Sequence, residues 1–147
     1  MPFPDFNENG DLPVGIYKAT LRKVIDYFGE GSLQRRLIAR RLEKIYFSAK
    51  ATGRVLRFIV YGSFVTGKEN PNDIDIFILM EDSFNPDEVF GKSRLVFNHL
   101  ATQKYEGASV FWGTKSGIIG DIDDFIASWQ IKRDLTRRGI VEVEIND

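Results

Sequence analysis

Two short segments carry residue types that could do chemistry: Gly62-Ser63 and, further along the chain, Asp73-Ile74-Asp75. A glycine lets a ligand approach the backbone closely, and the start of a helical turn favours an anion such as phosphate. Aspartates at alternate positions of a strand point to one side, where their like charges are unfavourable without a counter-ion. A divalent cation removes this repulsion. The spacing therefore indicates an anion site beside a metal site.

A phosphate cradle beside a magnesium site is what nucleotidyl transfer requires, because the metal neutralises the triphosphate and lowers the pKa of the attacking hydroxyl. The chain has no cysteine and its one histidine is His99, which excludes thiolate metal sites and mechanisms that need two histidines. Carboxylates must then carry any metal chemistry, and they favour Mg²⁺. We predict that Asp73 and Asp75 are catalytic and metal-binding and that a nucleoside triphosphate is held by Gly62, Ser63 and Lys68.

The elements around these residues are predicted from hydropathy patterns. Apolar residues at steps of three and four predict helices over 20–28, 32–51 and 121–132, and a further helix is predicted over 87–103. β-Branched and aromatic runs predict strands over 55–61, 73–80, 108–112 and 140–145. Proline, glycine and asparagine predict an extended arm over 1–15. The 147 residues fit a single domain, 1–147, of the α/β (α+β) class, with a small mixed sheet flanked by helices.

Several other polar and aromatic residues are given structural interpretations. We expect the cations of the second helix, Arg35, Arg36, Arg40, Arg41 and Lys44, to lie mostly on a solvated face. We expect His99 to be a partly buried structural residue and Trp112 and Trp129 to be core residues. A solvated basic turn is expected at Lys132, Arg133, Arg137 and Arg138.

The segment Gly62-Ser63 with Asp73-Ile74-Asp75 resembles the signature of the polymerase β-like nucleotidyltransferase superfamily, and it is most similar to the small, minimal bacterial members. The resemblance covers about residues 55–80. Outside it, the opening segment 5–13 and the closing segment 129–141 are similar to uncharacterised bacterial proteins of that superfamily. The resemblance implies a short mixed sheet flanked by helices and the use of magnesium with a nucleoside triphosphate.

The sequence departs from this pattern at the third carboxylate that active members of the superfamily usually carry on a later strand. Ser109 occupies the corresponding place, and serine is a poor metal ligand and no general base at neutral pH. Glu106 is an alternative third acid, and Asp121, Asp123 and Asp124 are others. Asp121 and Asp124 also suit the N-terminus of a helix, which is the interpretation we prefer.

Two functions remain open from the sequence. The first is a magnesium-dependent enzyme that transfers a nucleoside monophosphate to a hydroxyl of a protein, RNA or small molecule. The second is an inactive module that binds a protein partner, as the resemblance implies for members found in toxin–antitoxin pairs. The net charge of -1 does not imply nucleic-acid binding. No apolar run approaches the roughly 20 residues of a membrane span and no signal peptide is evident, so we expect a cytoplasmic protein.

Overall fold

The computed structural model describes residues 3–145 of the chain. Its strands are β1 (Ile16–Ala19), β2 (Val55–Tyr61), β3 (Ile74–Met80), β4 (Ala108–Thr114) and β5 (Ile140–Val143). Its α-helices are α1 (Leu21–Phe28), α2 (Leu33–Lys50), α3 (His99–Ala101) and α4 (Ile122–Ser128). A π-helical turn, Thr102–Glu106, continues α3, and short 3-10 turns follow β2, β3 and β4. Within residues 3–145 no helix is long and apolar enough to cross a membrane.

The five strands form one mixed sheet in the order β1-β5-β2-β3-β4. β1 is parallel to β5 and β3 is parallel to β4, while β2 runs antiparallel to both of its neighbours. A mixed sheet with flanking helices is the fold class that the sequence predicted, and that prediction is confirmed. The antiparallel β2–β3 pair is decisive for the site, because it brings the end of β2 beside the start of β3.

One face of the sheet packs against α1 and α2. Capping side chains start both helices, since Thr20 accepts a hydrogen bond from the Lys23 amide and Ser32 accepts one from the Arg35 amide. The apolar side of α2 then covers the strands with buried residues that include Ile38, Leu42 and Ile45. This face holds most of the buried apolar residues and leaves the opposite face free to carry polar groups.

The opposite face, which we call the site face, is covered in part by α4. A smaller apolar cluster joins Ile59 and Phe77 of the sheet to Ile126 of α4. Arg57 of β2 ties the helix down, with Nη2 2.7 Å from Glu142 Oε1 of β5 and Nη1 2.8 Å from Asp123 Oδ1. Because α4 is short, the site face stays open toward the start of β3.

Several predicted element boundaries differ from the structure. The helix predicted over 87–103 is wrong: the segment forms 3-10 turns at Pro86–Glu88 and Gly91–Phe97 before α3 begins. Gly91, the first residue of the second turn, has a φ of 64° that interrupts a continuous helix, and Asn98 caps α3. The helix predicted over 121–132 ends at Ser128, and the strand predicted over 140–145 ends at Val143. Strand β1 was missed because four residues give too short a pattern.

Candidate functional site

A cleft of about 850 Å³ opens on the site face, at the end of the sheet where β2 finishes and β3 begins. It gathers all five predicted site residues, and most of the other lining residues come from α3 and the turn that continues it, from β4 and from the loop before β5. The lining includes Gly62, Ser63, Lys68, Asp73, Asp75, His99, Gln103, Ser109, Phe111, Trp129, Lys132, Arg133 and Arg138. Residues far apart in sequence therefore converge on the paired aspartates.

Gly62 is required by its contact with Asp75. The glycine has a φ of 82°, and a Cβ added to it would overlap the Asp75 carboxylate at Oδ2. Ser63 follows as the first residue of a 3-10 turn, Ser63–Val65. A carboxylate is thus held directly against the backbone at the point where β2 turns into the loop.

Replacing Gly62 by alanine is therefore expected to destabilise the protein by about 2–4 kcal/mol, because backbone strain and a steric clash add together. Urea unfolding measures the change. Gly53→Ala is the matched control: Gly53 has a φ of 68° with no atom within 4 Å of an added Cβ, so it reports the backbone strain alone. Equal losses of stability in the two variants would show that the clash with Asp75 adds nothing to the backbone strain.

Among the described side chains of residues 3–145 no salt bridge neutralises Asp73 or Asp75. Burial and, after it, the negative charge of Asp73 raise the pKa of Asp75 to about 6, while Arg138 and Arg133 oppose the shift. Burial also raises the pKa of Asp73, which Arg41 of α2 partly offsets. Repulsion between the two carboxylates is unfavourable in the free protein, and a bound cation would reduce that repulsion.

This shift predicts a particular pH dependence of stability. Because the folded-state pKa of Asp75 lies above the value of about 4 in an unfolded chain, the folded state holds the proton more tightly. The contribution of Asp75 to the free energy of unfolding then falls as pH rises from about 4 to about 6. We expect wild-type protein to lose about 1–2 kcal/mol relative to Asp75→Asn across this range, after allowance for solvent screening. Urea titrations at pH 4.5 and 7 test it, and a constant difference between the two proteins would contradict it.

The loop that follows Gly62 is held by a buried arginine, Arg35 of α2. Its guanidinium makes five hydrogen bonds to four backbone carbonyls, those of Phe28, Phe64, Thr66 and Lys68. The distances run from 2.5 to 3.0 Å. The expectation that Arg35 lies on a solvated face is wrong, since the side chain folds under the 63–68 loop and fixes its path beside the aspartates.

Strand pairing places Ser109 opposite Asp75, in the position where the third carboxylate was sought. The Ser109 hydroxyl lies 3.4 Å from Gln103 Nε2. Of the alternative acids, Asp121 caps α4 by accepting a hydrogen bond from the Asp124 amide, and Asp123 forms a salt bridge with Arg57. The helix-terminal interpretation of Asp121 and Asp124 thus fits the structure, while the side chain of Glu106 lies outside what the structure describes.

These donors fit one hard cation. Asp73 and Asp75 offer carboxylate oxygens, and among the side chains described no group of three His, Cys, Asp or Glu residues is placed to hold a metal. Mg²⁺ commonly binds to one or two protein carboxylates and completes its shell with substrate phosphates and water. Asp73 and Asp75 are therefore the residues that could hold Mg²⁺ beside a phosphate ligand.

Cations line the cleft beside the Gly62–Ser63 turn. Lys132 and Arg138 belong to the basic loop, residues 130–138, which a hydrogen bond from the Arg138 amide to the Gln130 carbonyl closes. Buried Asp11 of the N-terminal arm binds both side chains, with its oxygens 3.2 Å from Lys132 Nζ and 3.3 Å from Arg138 Nη1. The expectation of a solvated turn is therefore wrong for Lys132 and Arg138. Lys68, in contrast, is exposed at the cleft, where it can contact a phosphate.

His99, Phe111 and Trp129 line the cleft with their rings and form what we call the aromatic wall, which sequence reasoning missed. His99 stacks on Phe111, with ring centroids 4.1 Å apart and planes inclined by 20°, and Trp129 stacks on Phe77 at 5.2 Å. The indole Nε1 of Trp129 is buried without a partner among the described residues. The expectation that Trp129 is simply a core residue is incomplete, because it also lines the cleft. Strand alternation from Ser109 to Phe111 is the signal that could have placed Phe111 here.

The fold and the site define an α/β protein whose open sheet face carries two paired carboxylates, a glycine turn and a rim of cations. The chain belongs to DUF6932, a family of unknown function, whose model matches residues 4–144. No curated protein and no solved structure matches the chain significantly.

Proposed function

We propose that this protein is a magnesium-dependent nucleotidyltransferase that moves a nucleoside monophosphate from a nucleoside triphosphate to a hydroxyl acceptor. The observation that carries the proposal is the packing of Asp75 against Gly62 with Asp73 beside it. This packing sets the two carboxylates next to the backbone turn and the Ser63 hydroxyl. Burial and like charge raise the pKa of Asp75, and a bound cation would offset that cost.

Each set of residues has a separate task in this proposal. Asp73 and Asp75 would hold Mg²⁺, which when bound neutralises charge on the phosphates and favours departure of pyrophosphate. The Ser63 hydroxyl and the side chains of Lys68, Lys132 and Arg138 bind the terminal phosphates. Placing these cations on one side of the aspartates orients the chain of phosphates along the cleft.

The transfer step balances without a further reactant. The acceptor oxygen forms a bond to the α-phosphorus, the bond from that phosphorus to the bridging oxygen breaks, and its electron pair leaves with pyrophosphate. The acceptor proton passes to water in the open cleft, because Ser109 cannot take it at neutral pH. Because Ser109 faces Asp75 where a third acid would act as the base, the proposal predicts a slow enzyme.

Transfer is tested with nucleoside triphosphates labelled at the α-phosphate. Wild-type protein is incubated with each labelled triphosphate and a cell extract as the source of acceptors, and the label in protein, RNA and small molecules is measured. Magnesium-dependent labelling that Asp73→Asn removes would support the proposal. Wild-type labelling no greater than that of the extract alone, or labelling above that level that persists in the variant, would refute it.

A second function, a non-catalytic module that binds a protein partner, is favoured by one observation: Ser109 faces Asp75 where a third acid is expected. Under this account the cleft keeps its shape and catalyses nothing, and purified protein with a partner bound would show no label transfer. A nucleic-acid partner is less well supported, because the net charge of -1 supplies no overall attraction to a polyanion.

Ser109→Asp separates the two functions. A carboxylate at this position would supply the missing base, and general-base catalysis contributes about 10²–10⁴-fold, so we expect label transfer to rise at least about 10-fold. Ser109→Asn, similar in size and uncharged, is the control and should leave the rate near that of wild type. A protein that transfers no label in any of the three forms would be the binding module.

A further inference from the structure

We propose that Phe111 and His99 form a subsite that stacks a planar nucleobase, so that the nucleoside end of the ligand lies on the β4 side of the paired aspartates. This inference rests on the proposed function and identifies the part of the cleft that recognises the base.

The first observation is the unusual exposure of Phe111. Its register partner on β3, Phe77, is 3% exposed beneath α4, whereas Phe111 on the same face is 40% exposed and lines the cleft. His99 already stacks on Phe111, and the part of the phenyl ring that stays exposed to water is unfavourable, so a planar apolar surface placed on it would be stabilised.

The second observation is the alignment of the rings. The plane of His99 is inclined by 20° to that of Phe111, and the plane of Trp129 by 26°. The Val110 carbonyl lies 3.2 Å from His99 Nδ1 and accepts its hydrogen, which holds the imidazole in this orientation. Because the planes of these rings are already nearly parallel, a base can stack on them without a rearrangement of the side chains. Stacking of this kind does not discriminate among the bases.

The third observation is the separation of charge along the cleft. The loop that carries Lys132, Arg133 and Arg138 leads into β5, on one side of β3 and its aspartates, whereas Phe111 and His99 lie at β4, on the other side of β3. Phosphates then favour the first side and an uncharged base the second. Phe111 follows Ser109 by two positions, about 6–7 Å along the strand, which is a gap that a ribose spans. Ser109 and Gln103 offer polar groups at that gap.

The test compares a ligand that has a base with one that lacks it. Wild-type protein and Phe111→Leu are titrated calorimetrically with ATP and with inorganic tripolyphosphate, each with magnesium. We expect the affinity for ATP to fall about 10-fold in the variant, within the range measured for single stacked bases, and the affinity for tripolyphosphate to stay unchanged. Phe47→Leu is the matched control, because Phe47 is 53% exposed on α2 and lies outside the cleft.

A second readout does not depend on the stability of Phe111→Leu. Trp112→Phe leaves Trp129 as the only tryptophan, and its fluorescence should change with ATP and remain constant with tripolyphosphate. Equal affinity of wild type for ATP and tripolyphosphate, or ATP affinity unchanged in Phe111→Leu, would overturn the subsite and leave the proposed function standing. Failure of both ligands to bind wild-type protein would overturn the subsite and the proposed function together.

Discussion

Replacing Asp73 and Asp75 together by asparagine is expected to abolish the stabilisation that magnesium and a nucleoside triphosphate give to the folded protein. A ligand at 100 times its Kd raises the free energy of unfolding by about 2.7 kcal/mol, and the variant should show none of this increase. The reason is that the two carboxylates are the only hard anionic pair lining the described cleft beside the glycine turn. Thermal unfolding with and without ligand measures the effect.

The same variant should fold at least as stably as wild type without ligand, because it removes the like-charge pair and one buried ionised carboxyl. Asp26→Asn is the control: Asp26 is 67% exposed on α1, away from the cleft, and should keep the full response to ligand. A ligand response that survives in the double variant would show that the nucleotide binds elsewhere. A large loss of stability in the double variant would show that the aspartates serve the fold.

Arg35→Met is the second substitution with a large expected effect, a loss of about 3–5 kcal/mol in the free energy of unfolding. Methionine keeps most of the apolar length of the side chain but leaves the carbonyls of Phe28, Phe64, Thr66 and Lys68 without their donor. Breaking a buried network of this kind is among the costly single changes. The 63–68 loop should also lose protection of its amides in hydrogen exchange.

Arg36→Met serves as the matched control, since the neighbouring arginine is exposed on the same helix and its loss should change stability by less than about 0.5 kcal/mol. The loss of stability in Arg35→Lys should lie between the losses in Arg35→Met and Arg36→Met. The ammonium group of lysine offers fewer donors than a guanidinium and lacks its planar arrangement. Equal effects of the Arg35 and Arg36 changes to methionine would show that the loop is held by other contacts.

Gly62, Ser63, Asp73 and Asp75 lie together in one cleft, as the sequence predicted, because the contacts that join them are local. Val55–Tyr61 runs into Gly62, and Asp73 precedes a strand of strong β-branched character, so each motif sits at the end of one element. Antiparallel pairing of two neighbouring strands then brings the motifs together with little further information. The resemblance to the superfamily, with the strand predicted over 108–112, singled out Ser109 as the place of a third acid, and strand pairing sets it opposite Asp75.

The residues that sequence reasoning misplaced act over long distances in the chain. Arg35 looks like its basic neighbours on α2, and only the path of the 63–68 loop shows which cation is buried. Asp11 reaches Lys132 and Arg138 from the opposite end of the chain, a contact that no local pattern encodes. His99 and Phe111 meet because α3 packs along β4, and the broken helix over 87–103 concealed that packing.

The most direct test of the central claim is calorimetric titration of ATP, GTP, CTP and UTP into wild-type protein, with and without magnesium. The account predicts that at least one triphosphate binds with a Kd in the micromolar range, roughly -8 kcal/mol, and only when magnesium is present. Binding of that strength without magnesium would contradict the role given to Asp73 and Asp75. Absence of binding by all four triphosphates would contradict the nucleotide site itself.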